Sequence, residues 1–123
     1  MLESAFYLTE SQIAMNADLE PDLPTEVRAN LLVALDCHRE GRLEEAVVIY
    51  QSALEQLPNH VETLLSLGAA LIGLGRNLQA IPPLEAALLI RPAHPDTCFA
   101  LAEAYRASGQ IENAFKIGQL GLK

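Results

Sequence analysis

The stretch LGAALIGLGR, residues 67–76, has three glycines in ten residues. Such a composition occurs in two different kinds of structure, so its interpretation decides the fold. Glycines at this density form a loop that cradles a phosphate, or they let two helices approach closely. A phosphate loop of the GxxxxGK type would need a lysine at position 74, followed by serine or threonine. The chain has Leu74 and Gly75 there, so we interpret the stretch as a closely packed helix and the turn that ends it.

A period of 34 residues runs through most of the chain. Glycine recurs at positions 41, 75 and 109, alanine at 46, 80 and 114, and proline at 58 and 92. Further pairs at the same offset are Ala53 and Ala87, Leu54 and Leu88, Leu67 and Leu101, and Ala70 and Ala104. Because each position keeps its chemistry from one unit to the next, the period predicts a structural repeat.

Each repeat is predicted to be a helix, a tight turn and a second helix. Leu64, Leu67 and Leu71 lie at spacings of three and four and so share one helical face. We expect Asn59 to cap this helix and Gly75 to close it in the left-handed conformation.

Two features disturb the pattern in the second helices. Pro82–Pro83 falls inside the second helix of the middle unit, which predicts either a late start or a kink there. Gly118 and Gly121 weaken the last helix, where we expect fraying.

This pattern resembles the tetratricopeptide repeat over residues 27–123. The middle unit carries the resemblance best, with Leu64, Leu67, Gly68, Leu71, Gly75, Ala80, Leu84, Ala87 and Pro92. The first unit keeps Ala34, Gly41, Ala46, Tyr50, Ala53 and Pro58, and the third keeps Leu101, Ala102, Tyr105, Gly109 and Ala114. The resemblance implies an all-α helix–turn–helix solenoid with units at 27–60, 61–94 and 95–123. Residues 1–26 precede it as an acidic N-terminal arm, in which Thr9 with Gln12 predicts the start of a short helix.

In this family the first helix of each unit lines a concave groove that binds a peptide or a helix. The corresponding positions are Arg28, Leu31, Leu35 and His38, then Glu62, Leu65, Ala69 and Ile72, then Asp96, Phe99, Glu103 and Arg106. They form an apolar floor with a charged edge, which suits an extended apolar segment or an amphipathic helix of a partner protein. Two other interpretations stay open: some of these apolar residues belong to the core, or the N-terminal arm covers the groove.

The repeat proteins that hold the C-terminal carboxylate of heat-shock chaperones use lysine, asparagine and arginine in this groove. The matching positions here are Leu31, Leu35, Ser66, Asp96 and Ala100. None of them can clamp a carboxylate, and Asp96 would repel one. That subclass is therefore disfavoured.

The net charge of −8 is concentrated in residues 1–26, which hold six acidic residues and no basic ones. This balance disfavours nucleic acid and anionic membranes as partners. The apolar runs are too short for a membrane-spanning helix, and the N-terminus lacks the early basic residues of a secretory signal. We therefore expect a cytoplasmic protein.

Catalytic and metal-binding residues are not grouped in the sequence. Cys37 and Cys98 match no zinc spacing. His60 and His94 fall in turns between units, and His38 is expected to face the groove as a hydrogen-bonding contact. We expect neither an enzyme nor a bound metal or cofactor.

Function is thus expected to be protein–protein interaction, as an adaptor or scaffold. In its small size, acidity and three repeats the chain also resembles the tetratricopeptide chaperones of type III secretion. The alternative function is therefore that of a dedicated chaperone. The last unit carries the apolar residues Phe115, Ile117, Leu120 and Leu122, which one preceding helix cannot cover. This favours a homodimer or heterodimer formed through the C-terminal repeat.

Overall fold

The computed structural model describes residues 23–121. The described residues form six helices and no strand: α1 (Thr25–Arg39), α2 (Leu43–Gln56), α3 (Val61–Gly73), α4 (Asn77–Ile90), α5 (Pro95–Ala107) and α6 (Ile111–Gly121). No helix in this range is long and apolar enough to cross a bilayer. The expected helix of the N-terminal arm, its coverage of the groove and the position of Leu122 lie outside the described residues.

The helices form three successive pairs, as the 34-residue period predicts. Each helix packs against the next one along the chain, and α3 also packs against α5. The first helices of the second and third pairs therefore lie side by side. This arrangement confirms the all-α helix–turn–helix solenoid.

The turns within the pairs repeat one geometry. Gly41, Gly75 and Gly109 have φ angles of 85°, 81° and 88°, a region that side-chain-bearing residues rarely occupy. Their backbone N–H groups donate to the carbonyls of His38, Ile72 and Arg106, and the following N–H groups donate to those of Cys37, Leu71 and Tyr105. This double hydrogen bond is the Schellman motif, and it ends the first helix of every pair.

The main hydrophobic core runs through the three pairs, and a smaller cluster lies between α3 and α4. The largest fully buried side chains of the main core include Tyr50, Leu84 and Leu101. The alanines at closest approach, Ala34, Ala46, Ala70, Ala80, Ala87 and Ala104, are all 0% exposed. Helix α6 contributes only partly buried residues, among them Ala114 and Ile117.

The predicted Asn59 cap is wrong. The residue that precedes α3 is His60, and Asn59 lies in the turn before it. Nδ1 of His60 lies 2.6 Å from Oγ1 of the buried Thr63. One period later, Nδ1 of His94 lies 3.0 Å from Oγ1 of Thr97 at the start of α5.

The late start predicted as one outcome of Pro82–Pro83 is also wrong, because α4 begins at Asn77 and contains both prolines. Neither proline can donate to the carbonyl four residues earlier, at Leu78 or Gln79. Leu78, Gln79 and Pro82 are exposed, where water can bond the released carbonyls. Helix α6 likewise continues through Gly118 to Gly121.

Candidate protein-binding groove

A concavity of about 390 Å³ lies between α3 and α5. Five apolar side chains and two carboxylates line it: Leu65, Ala69, Ile72, Phe99 and Ala100 with Asp96 and Glu103. We call this surface the α3–α5 groove. Six of its seven residues are positions that the family resemblance assigned to a partner-binding groove, and Ala100 is the seventh.

The helical period explains why these residues meet. On α3 the lining residues are spaced by four and three, and on α5 by three, one and three, so each set forms one stripe along its helix. Leu65 and Phe99 occupy equivalent positions one period apart. Because α3 packs beside α5, the two stripes face a common space.

The groove has a partly buried floor and an exposed aromatic ridge. Leu65, Ile72 and Ala100 are partly buried and pack against the core. Phe99 is 69% exposed. The floor residues therefore have a packing role as well as a surface, whereas Phe99 has little contact that would explain a large apolar side chain at its position.

The charges that line the groove are both negative. Asp96 lies in the first turn of α5, where the helix dipole favours a carboxylate. Its side chain has no hydrogen bond or ion pair with any residue in the described range. Glu103 forms an exposed ion pair with Arg106, one turn later on the same helix.

A second concavity, of about 320 Å³, lies on the other side of Phe99, between α5 and α6. It is lined by Phe99, Ala102, Glu103, Arg106, Ile111, Ala114 and Phe115. We call it the α5–α6 groove. Ile111 and Phe115 are 61% and 65% exposed. All the groove positions predicted from the sequence lie on first helices, so Ile111 was not among them. The signal that could have found it is the apolar pair that Ile111 and Phe115 form at a spacing of four.

The predicted groove positions of the first unit do not line either groove. Arg28 donates from Nη2 to the carbonyl of Leu23, at 3.3 Å, and its buried Nε has no hydrogen-bond partner among residues 23–121. Leu31 packs against the core, and Leu35 is half-buried.

His38 and Glu62 also have partners away from the two grooves. Nδ1 of His38 lies 3.4 Å from Oη of Tyr50, with the two rings edge to face. Oε2 of Glu62 lies 3.5 Å from Nη1 of Arg91, which follows α4. His38 therefore connects α1 to α2, and Glu62 connects α3 to the residue that follows α4.

Three buried side chains in the described range have a raised pKa. Burial raises the pKa of Tyr50 and of the Cys98 thiol. Burial and a hydrogen bond to Glu85 together raise the pKa of Tyr105 to about 12. No group of three or more His, Cys, Asp or Glu side chains in the described range could hold a metal ion. None of the three side chains with a raised pKa lines the α3–α5 groove. The groove offers apolar contact area and negative charge.

No family model and no curated protein matches the chain. Solved structures of MamA have the same fold. A MamA point mutant is 27% identical, with a TM-score of 0.75 over 82% of this chain and 74% of its own. MamA MSR-1 is 23% identical, with a TM-score of 0.74 over 94% and 69%.

A third structure, MamA AMB-1, is 24% identical, with a TM-score of 0.75 over 89% of this chain and 65% of its own. MamA is a helical repeat protein of the tetratricopeptide type. The likeness and the three helix pairs together show that this chain has a helical repeat fold of the tetratricopeptide type.

Proposed function

We propose that the α3–α5 groove receives an apolar or amphipathic segment of a partner protein, and that the chain acts as a non-enzymatic adaptor or scaffold. The observation that carries this proposal is Phe99, an aromatic side chain 69% exposed beside a mostly apolar concavity. Contiguous apolar surface rimmed by polar groups is typical of interaction sites.

The energetic argument concerns Phe99. Burying a phenylalanine side chain that is otherwise exposed stabilises a complex by about 1.5–3 kcal/mol. Aromatic side chains at the centre of an interface are common energetic anchors. The half-buried floor of Leu65, Ile72 and Ala100 is held by the core, so little side-chain entropy is lost when a partner packs on it.

The size of the groove limits what it can hold. A volume of about 390 Å³ lies at the small end of the range for small-molecule pockets, so it accommodates a few side chains. These would come from one face of an amphipathic helix or from alternate residues of an extended segment.

The test is capture of partners by the tagged chain, compared with two matched variants. Phe99→Asp places a charge on the groove, and Leu89→Asp places the same charge on α4, where Leu89 is 84% exposed. We expect a partner that binds the unmodified chain and Leu89→Asp but not Phe99→Asp. Equal binding by all three proteins would contradict the proposal. One dominant partner would indicate a dedicated chaperone, and several partners at similar amounts would indicate a scaffold.

A second candidate is self-association or heterodimerisation through the third helix pair. The exposed Ile111 and Phe115 in the α5–α6 groove favour it. Sedimentation velocity tests it with Phe115→Asp against Val48→Asp, a change at a 64% exposed site on α2. We expect Phe115→Asp alone to shift the chain toward monomer, and equal profiles for both variants would contradict this candidate.

A further inference from the structure

We infer that the partner segment in the α3–α5 groove is basic as well as apolar, with a lysine or arginine that pairs with Asp96. This inference rests on the proposed function of the groove. It goes further because it states the charge of the partner and where that charge lies relative to the apolar anchor.

The first observation is the sign of the charge that lines the groove. Asp96 and Glu103 are its charged residues, and no basic side chain lines it. They lie seven residues apart on α5, which places them roughly 10 Å apart along the helix axis. Phe99 and Ala100 lie between them, so an apolar contact in the groove has a carboxylate at each end.

The second observation is that these two carboxylates differ in what already surrounds them. Glu103 is paired with Arg106, which belongs to the α5–α6 groove. Asp96 has no ion pair or hydrogen bond within the described range. The end of the groove at Asp96 is therefore where a partner cation gains most.

The spacing on α5 sets the spacing expected in the partner. Asp96 lies one helical turn before Phe99. In the partner, the residue that packs on Phe99 and the lysine or arginine that pairs with Asp96 would therefore be about one turn apart. In a partner helix this is a spacing of three or four residues. The expected segment is an amphipathic helix with lysine or arginine beside its apolar face.

Charge also argues against acidic occupants. The chain has a net charge of −8, and residues 1–26 hold six acidic residues and no basic ones. Like charges placed close together across an interface oppose binding. The chain's own acidic segment is thus the wrong charge for this groove, and a basic partner is attracted over longer distances by the whole molecule.

The experiment is selection from a displayed library of random peptides on the full chain, with the uncharged variant Phe99→Ser as the counter-selection. Selected peptides are then measured against Asp96→Asn, Asp96→Lys and the control Glu55→Lys. Glu55 is exposed on α2 outside both grooves, so its reversal changes the net charge as much as Asp96→Lys does. Thermal unfolding of each variant confirms that it is folded.

We expect the selected peptides to combine apolar residues with an excess of lysine and arginine. Their affinity should fall about threefold in Asp96→Asn and about tenfold in Asp96→Lys, as for a solvent-accessible ion pair that is removed or reversed. Glu55→Lys should have a smaller effect, and added salt should reduce the difference between Asp96→Lys and the unmodified chain.

Two results would overturn the inference while the proposed function stands. One is a set of Phe99-dependent peptides with no excess of basic residues. The other is an equal loss of affinity in Asp96→Lys and Glu55→Lys, which would show that net charge alone attracts the peptides. If no selected peptide depends on Phe99, both the proposed function and this inference fail.

Discussion

Gly68 on α3 packs directly against Leu84 on α4. A β-carbon at position 68 would lie 2.5 Å from both Cγ and Cδ2 of Leu84, a side chain that is 0% exposed. The two helices of the middle pair therefore touch at a point where only glycine fits. This contact explains the glycine at the start of the stretch that first pointed to the repeat.

We expect Gly68→Ala to destabilise the chain by about 1–3 kcal/mol, because the added β-carbon would overlap the fully buried side chain of Leu84. Alanine is the better helix former, by up to about 1 kcal/mol, so a loss of stability would show that the clash outweighs propensity. Urea unfolding measures the change. Stability equal to or above that of the unmodified chain would contradict the close packing.

Gly118→Ala should have the opposite effect. A β-carbon there would meet nothing within 4 Å, so alanine should stabilise α6 by about 0.5–1 kcal/mol. Gly121→Ala is the matched comparison, since its β-carbon would lie 2.8 Å from Cβ of Cys98. Urea midpoints should rise for position 118 and rise less, or fall, for position 121; the reverse order would contradict the packing of α6 on α5.

Pro82→Ala should stabilise the chain. Pro82 is exposed, so little packing is lost, and alanine restores a donor to the carbonyl of Leu78. An interior proline lowers the stability of a helix by about 3 kcal/mol. Part of this, roughly 0.4–1 kcal/mol, is offset because proline also restricts the conformations of the unfolded chain. We expect a net gain of about 2 kcal/mol by thermal unfolding. A lower melting temperature than that of the unmodified chain would show that this proline has a packing role.

Tyr105 is expected to make stability fall at high pH. Its hydroxyl donates to Oε2 of Glu85 at 2.5 Å, which joins α5 to α4. The folded-state pKa is about 12 and the ordinary value is 10.0. Because the folded pKa is the higher one, the contribution is fully present below about pH 10 and is lost as the pH rises toward 12.

Tyr105→Phe tests this dependence. We expect the variant to be about 1–2 kcal/mol less stable at neutral pH, since it lacks a hydrogen bond to a charged acceptor. Its stability should fall less than that of the unmodified chain between about pH 10 and 12. Parallel curves over that interval, from chemical unfolding at each pH, would show that Tyr105 does not titrate with unfolding.

Leu65→Asp and Phe99→Asp should separate packing from binding. Leu65 is half-buried and packs against the core, so its replacement by aspartate should lower stability by more than 1 kcal/mol. Phe99 is 69% exposed, so Phe99→Asp should change stability by less than about 0.5 kcal/mol. Thermal unfolding of both variants measures this. A large loss for Phe99→Asp would place that ring in the core.

Much of the fold follows from local chemistry and could be predicted. Gly41, Gly75 and Gly109 had to close helices because their turns require a positive φ, which glycine adopts at low cost. Ala46 and Ala80 had to be buried because small residues recur where helices approach most closely. Such positions depend on neighbours within one helix pair, and the period makes them visible.

The contacts of long polar side chains could not be predicted in the same way. Arg28 donates a hydrogen bond to the backbone before α1, His38 contacts the hydroxyl of Tyr50, and Glu62 pairs with Arg91. Each partner lies on another segment of the chain. A long polar side chain can point in several directions from one backbone position, so its partner depends on which segment packs nearby. A family pattern gives the backbone position and leaves the direction open.

The sequence by itself determined three helix pairs, the glycines that close their first helices and the small residues between them, because period and backbone conformation act within a few turns of chain. Only the tertiary structure decided which groove positions share one concavity. Leu65 and Phe99 meet there because α3 packs beside α5, and the side-by-side placement of helices 34 residues apart is set by how the pairs stack. The neighbouring positions of Asp96 and Phe99 follow from the helical period of α5, whereas the α3 side of the groove is added by that stacking.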